Sequence, residues 1–234
     1  MQQWRAAVLT SALLALTPTP SLAAPVACSP GTLTDYVALG DGCTVGGFLF
    51  DNFTLGTTLP TGATPISPDV VEVTPVPSGL AFGVDVTADA GELLEILFGY
   101  DVSHPAIAGA SLAMSGASAT GDAAVTAVKN FCKGGSFNPG GVDGCTGVED
   151  ALIAFAIDGD ADLAALLDIF PFVKQLGVVD DIAVDGGLTG AGSLTGEVVN
   201  QFAPVPEPAT SLLVATGICT MLRARYKPSR RRPS

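Results

Sequence analysis

"ELLEILFGYDV" (92–102) decides how this 234-residue chain is read. Leu94, Ile96, Phe98, Tyr100 and Val102 occupy every second position, with Glu95, Leu97, Gly99 and Asp101 between them. A period of two with one apolar set is the pattern of a half-buried strand in an antiparallel sheet. The same period recurs outward in both directions. In "GLAFGVDVT" Leu80, Phe82, Val84 and Val86 share a face; in "LIAFAID" Ile153, Phe155 and Ile157 do. In "SLTGEVVNQF" Leu194, Gly196, Val198, Asn200 and Phe202 alternate with Thr195, Glu197, Val199 and Gln201. Further strands are expected over 45–53, 70–74, 107–115, 123–132 and 178–185. Turn-forming stretches such as "PTGATPISP", "TADAG" and "FNPGGVDG" separate them. "DLAALLDIF" (162–170) alone has helical spacing and reads as a short helix or a strand. The expected fold is all-β: an antiparallel β-sandwich or jelly-roll-like domain over 24–203.

Composition agrees. Hydrophobic residues make up 48% and charged residues 14%, enough for a core and too little charge for a disordered chain. The 28 glycines and 17 prolines suit many turns between short strands. All 23 acidic side chains lie between Asp35 and Glu207, and that stretch carries only Lys129, Lys133 and Lys174 as basic groups. Such a surface repels phosphate backbones, so nucleic-acid binding is excluded.

Both ends read as addresses. At the start Arg5 precedes an apolar run over 6–16, followed by "TPTP" and small residues. This is the layout of a secretory signal peptide, with cleavage expected after Ala23. A lipoprotein reading through Cys28 fails on Pro25, where a Leu-like residue is needed. At the other end stand Pro206, Glu207 and Pro208, an apolar run over 209–222, and a basic stretch over 223–234 holding Arg223, Arg225, Lys227 and Arg230 to Arg232. The run is shorter than the about 20 residues of an ordinary span, but flanking arginines let short helices cross at modest cost. The basic flank orients the Arg end to the cytoplasm.

This three-part tail over 204–234 resembles the PEP-CTERM sorting signal of exported bacterial proteins. Thr210, Thr216, Cys219 and Thr220 within the apolar run, and a longer basic region, depart from the usual pattern. The resemblance implies a single transmembrane helix that anchors the chain transiently in the inner membrane. It also implies an exosortase-type enzyme as processing partner, and a setting in which extracellular polysaccharide is made. "GCTVGGFLFDNFT", "VVDDIAVDGG" and "VVNQF" are similar to patterns in domains that precede such tails; no activity comes with that similarity.

The region between the two addresses holds four of the five cysteines, in two local pairs: Cys28 with Cys43 and Cys132 with Cys145. Four cysteines allow three pairings. The local one closes two short glycine-rich loops, each worth about 3 kcal/mol in the chain-entropy model. Zinc is the rival, but it wants CxxC-type spacing or histidines, and the single His104 lies far from both pairs. Disulfides are expected.

No catalytic residue stands out. A Ser/His/Asp or Cys/His centre needs an imidazole, and His104 precedes Pro105 in an expected loop after a strand, where it reads as a surface loop residue. No GxSxG, GxxxxGK[ST] or HExxH motif is present. "DGGLTGAGSLTG" reads as a hairpin turn, and "NFT" at Asn52 as a sequon in form only. Two carboxylates could hydrolyse a glycoside, yet sugar sites favour aromatic faces. Trp4 leaves with the signal peptide and Tyr226 lies in the tail, so only Tyr36 and Tyr100 remain beside the phenylalanines. The best metal candidate is Ca²⁺ at "DGDAD": Asp158, Asp160 and Asp162 alternate as at the start of an EF-hand loop. The pattern then breaks at Leu163 and Ile169, so the competing reading is a solvated acidic turn. The functional expectation is an exported, non-enzymatic protein of the cell surface or extracellular matrix. The alternative is a surface carbohydrate-binding or carbohydrate-active protein.

Overall fold

The "ELLEILFGYDV" stretch opens β8 (Leu93–Met114), one of two 22-residue strands in a computed structural model that describes residues 25–57 and 59–205. The other strands are β1 (Val26–Ala27), β2 (Gly31–Thr32), β3 (Cys43–Val45), β4 (Phe48–Leu55), β5 (Thr64–Pro65), β6 (Glu72–Val76) and β7 (Gly79–Ala88) before it. After it come β9 (Ala117–Thr120), β10 (Ala124–Lys133), β11 (Val148–Ile157), β12 (Asp160–Asp162), β13 (Ala164–Asp185) and β14 (Ala191–Pro204). Helix is confined to α1 (Leu33–Val37) and a 3₁₀ turn at Pro68–Val70 among the described residues. Thr32 and Asp35 cap α1 reciprocally.

The strands form one continuous sheet in the order β12-β11-β10-β13-β8-β14-β7-β6-β2, with β4 and β5 on β8, β3 on β4, β1 on β3 and β9 on β14. All pairs are antiparallel except β1 with β3 and β5 with β8. Two strands of 22 residues each give the sheet its shape. The first part of β8 pairs with β4 and with residues 176–185 of β13. Its second part pairs with β14 and with residues 164–168 of β13. Register shifts near Pro105 and Pro171 mark the change, where prolines can interrupt a ladder at least cost. Each long strand thus serves both halves of the sheet, and the halves face one another. Phe82 of β7 lies 4.6 Å from Phe98 of β8, and Phe50 of β4 lies 5.8 Å from Phe202 of β14. These rings, with Phe48, Tyr100, Leu112 and Ile182, fill the space between them.

Every strand anticipated from alternation is present. Leu94, Ile96, Phe98, Tyr100 and Val102 face inward, and so do Leu194, Val198, Asn200 and Phe202. The segment over 162–170 is strand: it closes β12 and opens β13. The candidate over 45–53 is two strands, broken by Gly46 and Gly47 at positive φ. One expectation is corrected. In β11 the period is right but the face is inverted: Leu152, Ala154 and Ala156 are buried while Ile153 and Ile157 are exposed. The neighbouring inward residues, Val125 and Ala127 of β10, are also small, so this margin of the core has room only for short side chains. Leu166 and Phe170 of β13 are likewise exposed, each 84%.

Both local cysteine pairs are disulfides, Cys28–Cys43 and Cys132–Cys145, with Cα atoms 4.8 and 5.4 Å apart. The expected signal peptide over 1–23, the Pro206-Glu207-Pro208 motif and the apolar run over 209–222 lie outside the described residues. No helix among the described residues is long and apolar enough to cross a membrane.

Candidate functional site

Two places concentrate polar chemistry: a surface cleft and a buried centre.

The cleft, about 440 Å³, opens on the outer face of β4, β8 and β13. This is within the about 300–1,000 Å³ typical of ligand pockets. Its floor is Gly99 and Val179, and its walls carry Phe53, Phe137, Asn52 and Asp101. The loop closed by Cys132–Cys145 lays Ser136 to Pro139 over the face as a lip. Gly177 makes that approach possible: a Cβ there would lie 2.8 Å from the Ser136 Cα, and its N–H donates to the Gly135 carbonyl at 2.7 Å. Asp101 is the hub. It accepts from Asn52 Nδ2 at 2.9 Å and from Ser136 Oγ at 2.8 Å, while Gln175 Nε2 donates to Ser136 Oγ at 2.8 Å. Asp51 stands directly opposite Asp101 in the ladder, and burial, then the Asp101 charge, push its carboxyl up. The cleft therefore offers fixed hydrogen-bond groups beside apolar and aromatic surface, which suits binding.

The buried centre is made by Lys129, Asp180, Asn200 and Tyr100. Lys129 and Asn200 are fully buried and Asp180 is 1% exposed. Lys129 of β10 and Asp180 of β13 are direct cross-strand partners. Asn200 of β14 comes from the opposite half of the sheet and donates through Nδ2 to Asp180 Oδ2 at 2.6 Å and to the Tyr100 hydroxyl at 2.9 Å. The Lys129 Nζ donates to the Ser111 carbonyl at 3.3 Å and lies 4.3 Å from the Phe202 ring centroid. Burial pushes the Lys129 amine down, opposed by the Asp180 charge; burial pushes the Asp180 carboxyl up, opposed by Lys129. Asp180 Oδ1 and Asn200 Oδ1 are buried without partners.

The residues singled out from sequence lie elsewhere. Asp158 sits at positive φ (45°) in the β11–β12 turn, and Asp160 and Asp162 lie on the edge strand opposite Ile157 and Phe155. All three are exposed. Among the described residues no group of three or more His, Cys, Asp or Glu is arranged to hold a metal ion. An extended edge strand spreads its carboxylates instead of wrapping them round a cation. His104, expected in a surface loop, instead lies within β8 and is half-buried, because its ring packs on Phe48 at 4.5 Å, with Nδ1 3.0 Å from the Ala106 carbonyl oxygen. The glycine-rich turn before β14, expected to be a hairpin, instead joins β13 to β14, two strands that do not pair because β8 lies between them, and there Asp122 accepts from the Thr189 and Leu188 amides, which hold its carboxyl down to about 2.

The buried centre escaped the sequence reading, although a signal was there. Lys129 is in phase with Val125, Ala127 and Phe131, and Asp180 with Val178, Ile182 and Val184. A charge on the apolar phase of two strands is the mark of a buried polar centre. Compared with known proteins, the chain matches no family model, no curated protein and no solved structure.

Proposed function

We infer that this chain is an exported, non-enzymatic protein of the cell surface or extracellular matrix. Its folded part is a β-sandwich of jelly-roll-like outline, delivered by a signal peptide over 1–23. It is released from a transient inner-membrane anchor through a PEP-CTERM-type tail, by an exosortase-type enzyme acting at or near Pro206-Glu207-Pro208. The observation that carries the reading is the pair of disulfides, which belong in an oxidising compartment outside the cytoplasm. The acidic surface and the described fold are compatible with a scaffold working among extracellular polysaccharide. Mass spectrometry of the mature protein tests this. A C-terminus at or near residues 206–208 is expected; peptides containing intact Arg230 to Arg232 from the surface fraction would overturn it.

The cleft favours a second reading, a surface carbohydrate-binding protein. Asn52, Asp101 and Asn138 beside Phe53 and Phe137 combine hydrogen-bond groups with ring faces. A glycan array with the parent and Asp101→Ala separates the two: specific binding lost in the variant supports this reading.

A further inference from the structure

The buried centre is poorly satisfied for a resting ion pair. An ammonium has three donors, and the Ser111 carbonyl is the hydrogen-bond partner found for Lys129 Nζ. Two carboxylate and amide oxygens beside it have none. Half-satisfied polar groups in an apolar core are costly. The same groups, an amine, a carboxyl and a carboxamide enclosed in one core, can react with one another.

We propose that Lys129 and Asn200 join in an intramolecular amide bond, formed once per molecule after folding, with Asp180 as the proton carrier. Three observations place the reactants. Lys129 lies directly opposite Asp180, which puts their Cβ atoms about 5 Å apart. Asp180 Oδ2 is 2.6 Å from Asn200 Nδ2. The Lys129 amine rests on the ring of Phe202, which follows Asn200 by two residues on the same inward face. Carboxyl and carboxamide are thus in direct contact, and the amine, held on the Phe202 ring without a bond to either, meets them by rotating about its own side-chain bonds, all three being shut off from water.

The step balances without a co-reactant. The neutral Lys129 amine attacks Asn200 Cγ while the protonated Asp180 carboxyl gives its proton to Nδ2. The Cγ–Nδ2 bond breaks and ammonia leaves. The proton surplus on the lysine nitrogen passes to Asp180, restoring its starting state, and a secondary amide remains. Burial favours both starting protonation states, since it disfavours the charged amine and the charged carboxylate alike. Fixed orientation supplies the rate that a free amine and amide lack, and the dry core protects the product from hydrolysis. The product ties β10 to β14 across the core. It closes a long stretch of chain, the kind of link that constrains an unfolded ensemble most. This inference does not depend on the export reading.

Peptide mapping of the purified full chain, reduced and alkylated before digestion, decides. The expected result is a branched peptide joining the Lys129 and Asn200 segments and lighter by one ammonia, with no tryptic cut after Lys129. Recovery of both segments as unmodified linear peptides would overturn the proposal. So would a branch from Lys129 to Asp180 lighter by one water. In Asp180→Asn the branched yield should fall about a hundredfold or more, the usual worth of a positioned proton carrier. An undiminished yield in that variant overturns the role of Asp180. If the variant does not fold, the parent's map alone decides whether the bond exists.

Discussion

Asp180 Oδ2 accepts a 2.6 Å hydrogen bond from Asn200 Nδ2, so two residues from opposite halves of the sheet meet in the middle of the aromatic core. Tyr100 completes the contact by accepting from the same nitrogen at 2.9 Å. A polar junction here fixes how the halves are superposed. Apolar rings alone would tolerate a slide of one strand position.

Tyr100→Phe isolates that junction. The ring and its packing against Phe98 and Phe53 stay, and only the hydroxyl is removed. Whether the nitrogen at this junction is the free carboxamide or the linked amide it keeps an N–H, and leaving that N–H without this acceptor should lower stability by about 1–2 kcal/mol. Urea denaturation should show a lower midpoint with an unchanged slope.

Stability should rise as the pH falls from about 7 to about 5, against the usual trend of acid unfolding. Glu95 of β8 is buried and lies diagonally from Asp181 of β13 on the outer face. Burial, then the Asp181 charge, push its carboxyl from 4.5 up to about 7. Asp51, Asp180 and Asp181 are pushed in the same direction, each chiefly by burial. Between the unfolded and folded values the native state binds more protons than the unfolded state. The stabilisation is therefore complete below about pH 4.5 and is lost as the pH rises through about 7. At still lower pH the sign reverses, because Asp122, Asp35 and Asp150 are held below the ordinary carboxylate value and lose their bonds on protonation. Melting temperatures across this range check the slope. Glu95→Gln, which mimics the protonated acid, should flatten it and raise stability at neutral pH.

Gly177→Ala should disturb the lip of the cleft. The new Cβ would lie 2.8 Å from the Ser136 Cα and 3.0 Å from the Gly135 oxygen, both backbone atoms that must move. Crowding of this kind costs about 1–3 kcal/mol. Removing the lip's other tether with Cys145→Ala should cost about 3 kcal/mol, because it frees a loop of 13 residues' separation. Thermal denaturation measures both.

Much of the architecture was legible because a strand with one buried face writes that face into every second residue. Leu94 to Val102 and Leu194 to Phe202 show it plainly. The inverted face of β11 was not legible. Alternation tells which residues share a side, but not which side the neighbouring strands cover, and there the small alanines are inside. The 162–170 segment, with its two readings, was settled by the ladder from Ala164 to Asp168 against β8, an interaction with residues some 50 positions away that no local spacing encodes. The cleft depends on a disulfide-closed loop crossing Gly177, and its lining comes from five separate parts of the chain. Cys28–Cys43 and Cys132–Cys145 were legible, since short separations and flexible glycines make local closure the simplest pairing.

The two 22-residue strands leave the molecule without a seam. In a structure made of two independently hydrogen-bonded layers, one layer can peel away while the other keeps its ladders. Here β8 and β13 supply ladders to both, so opening either half pulls out the spine of its neighbour. The chain should therefore come apart all at once or not at all. Partly opened forms, the ones that proteases cut and that stick to one another, would be scarce.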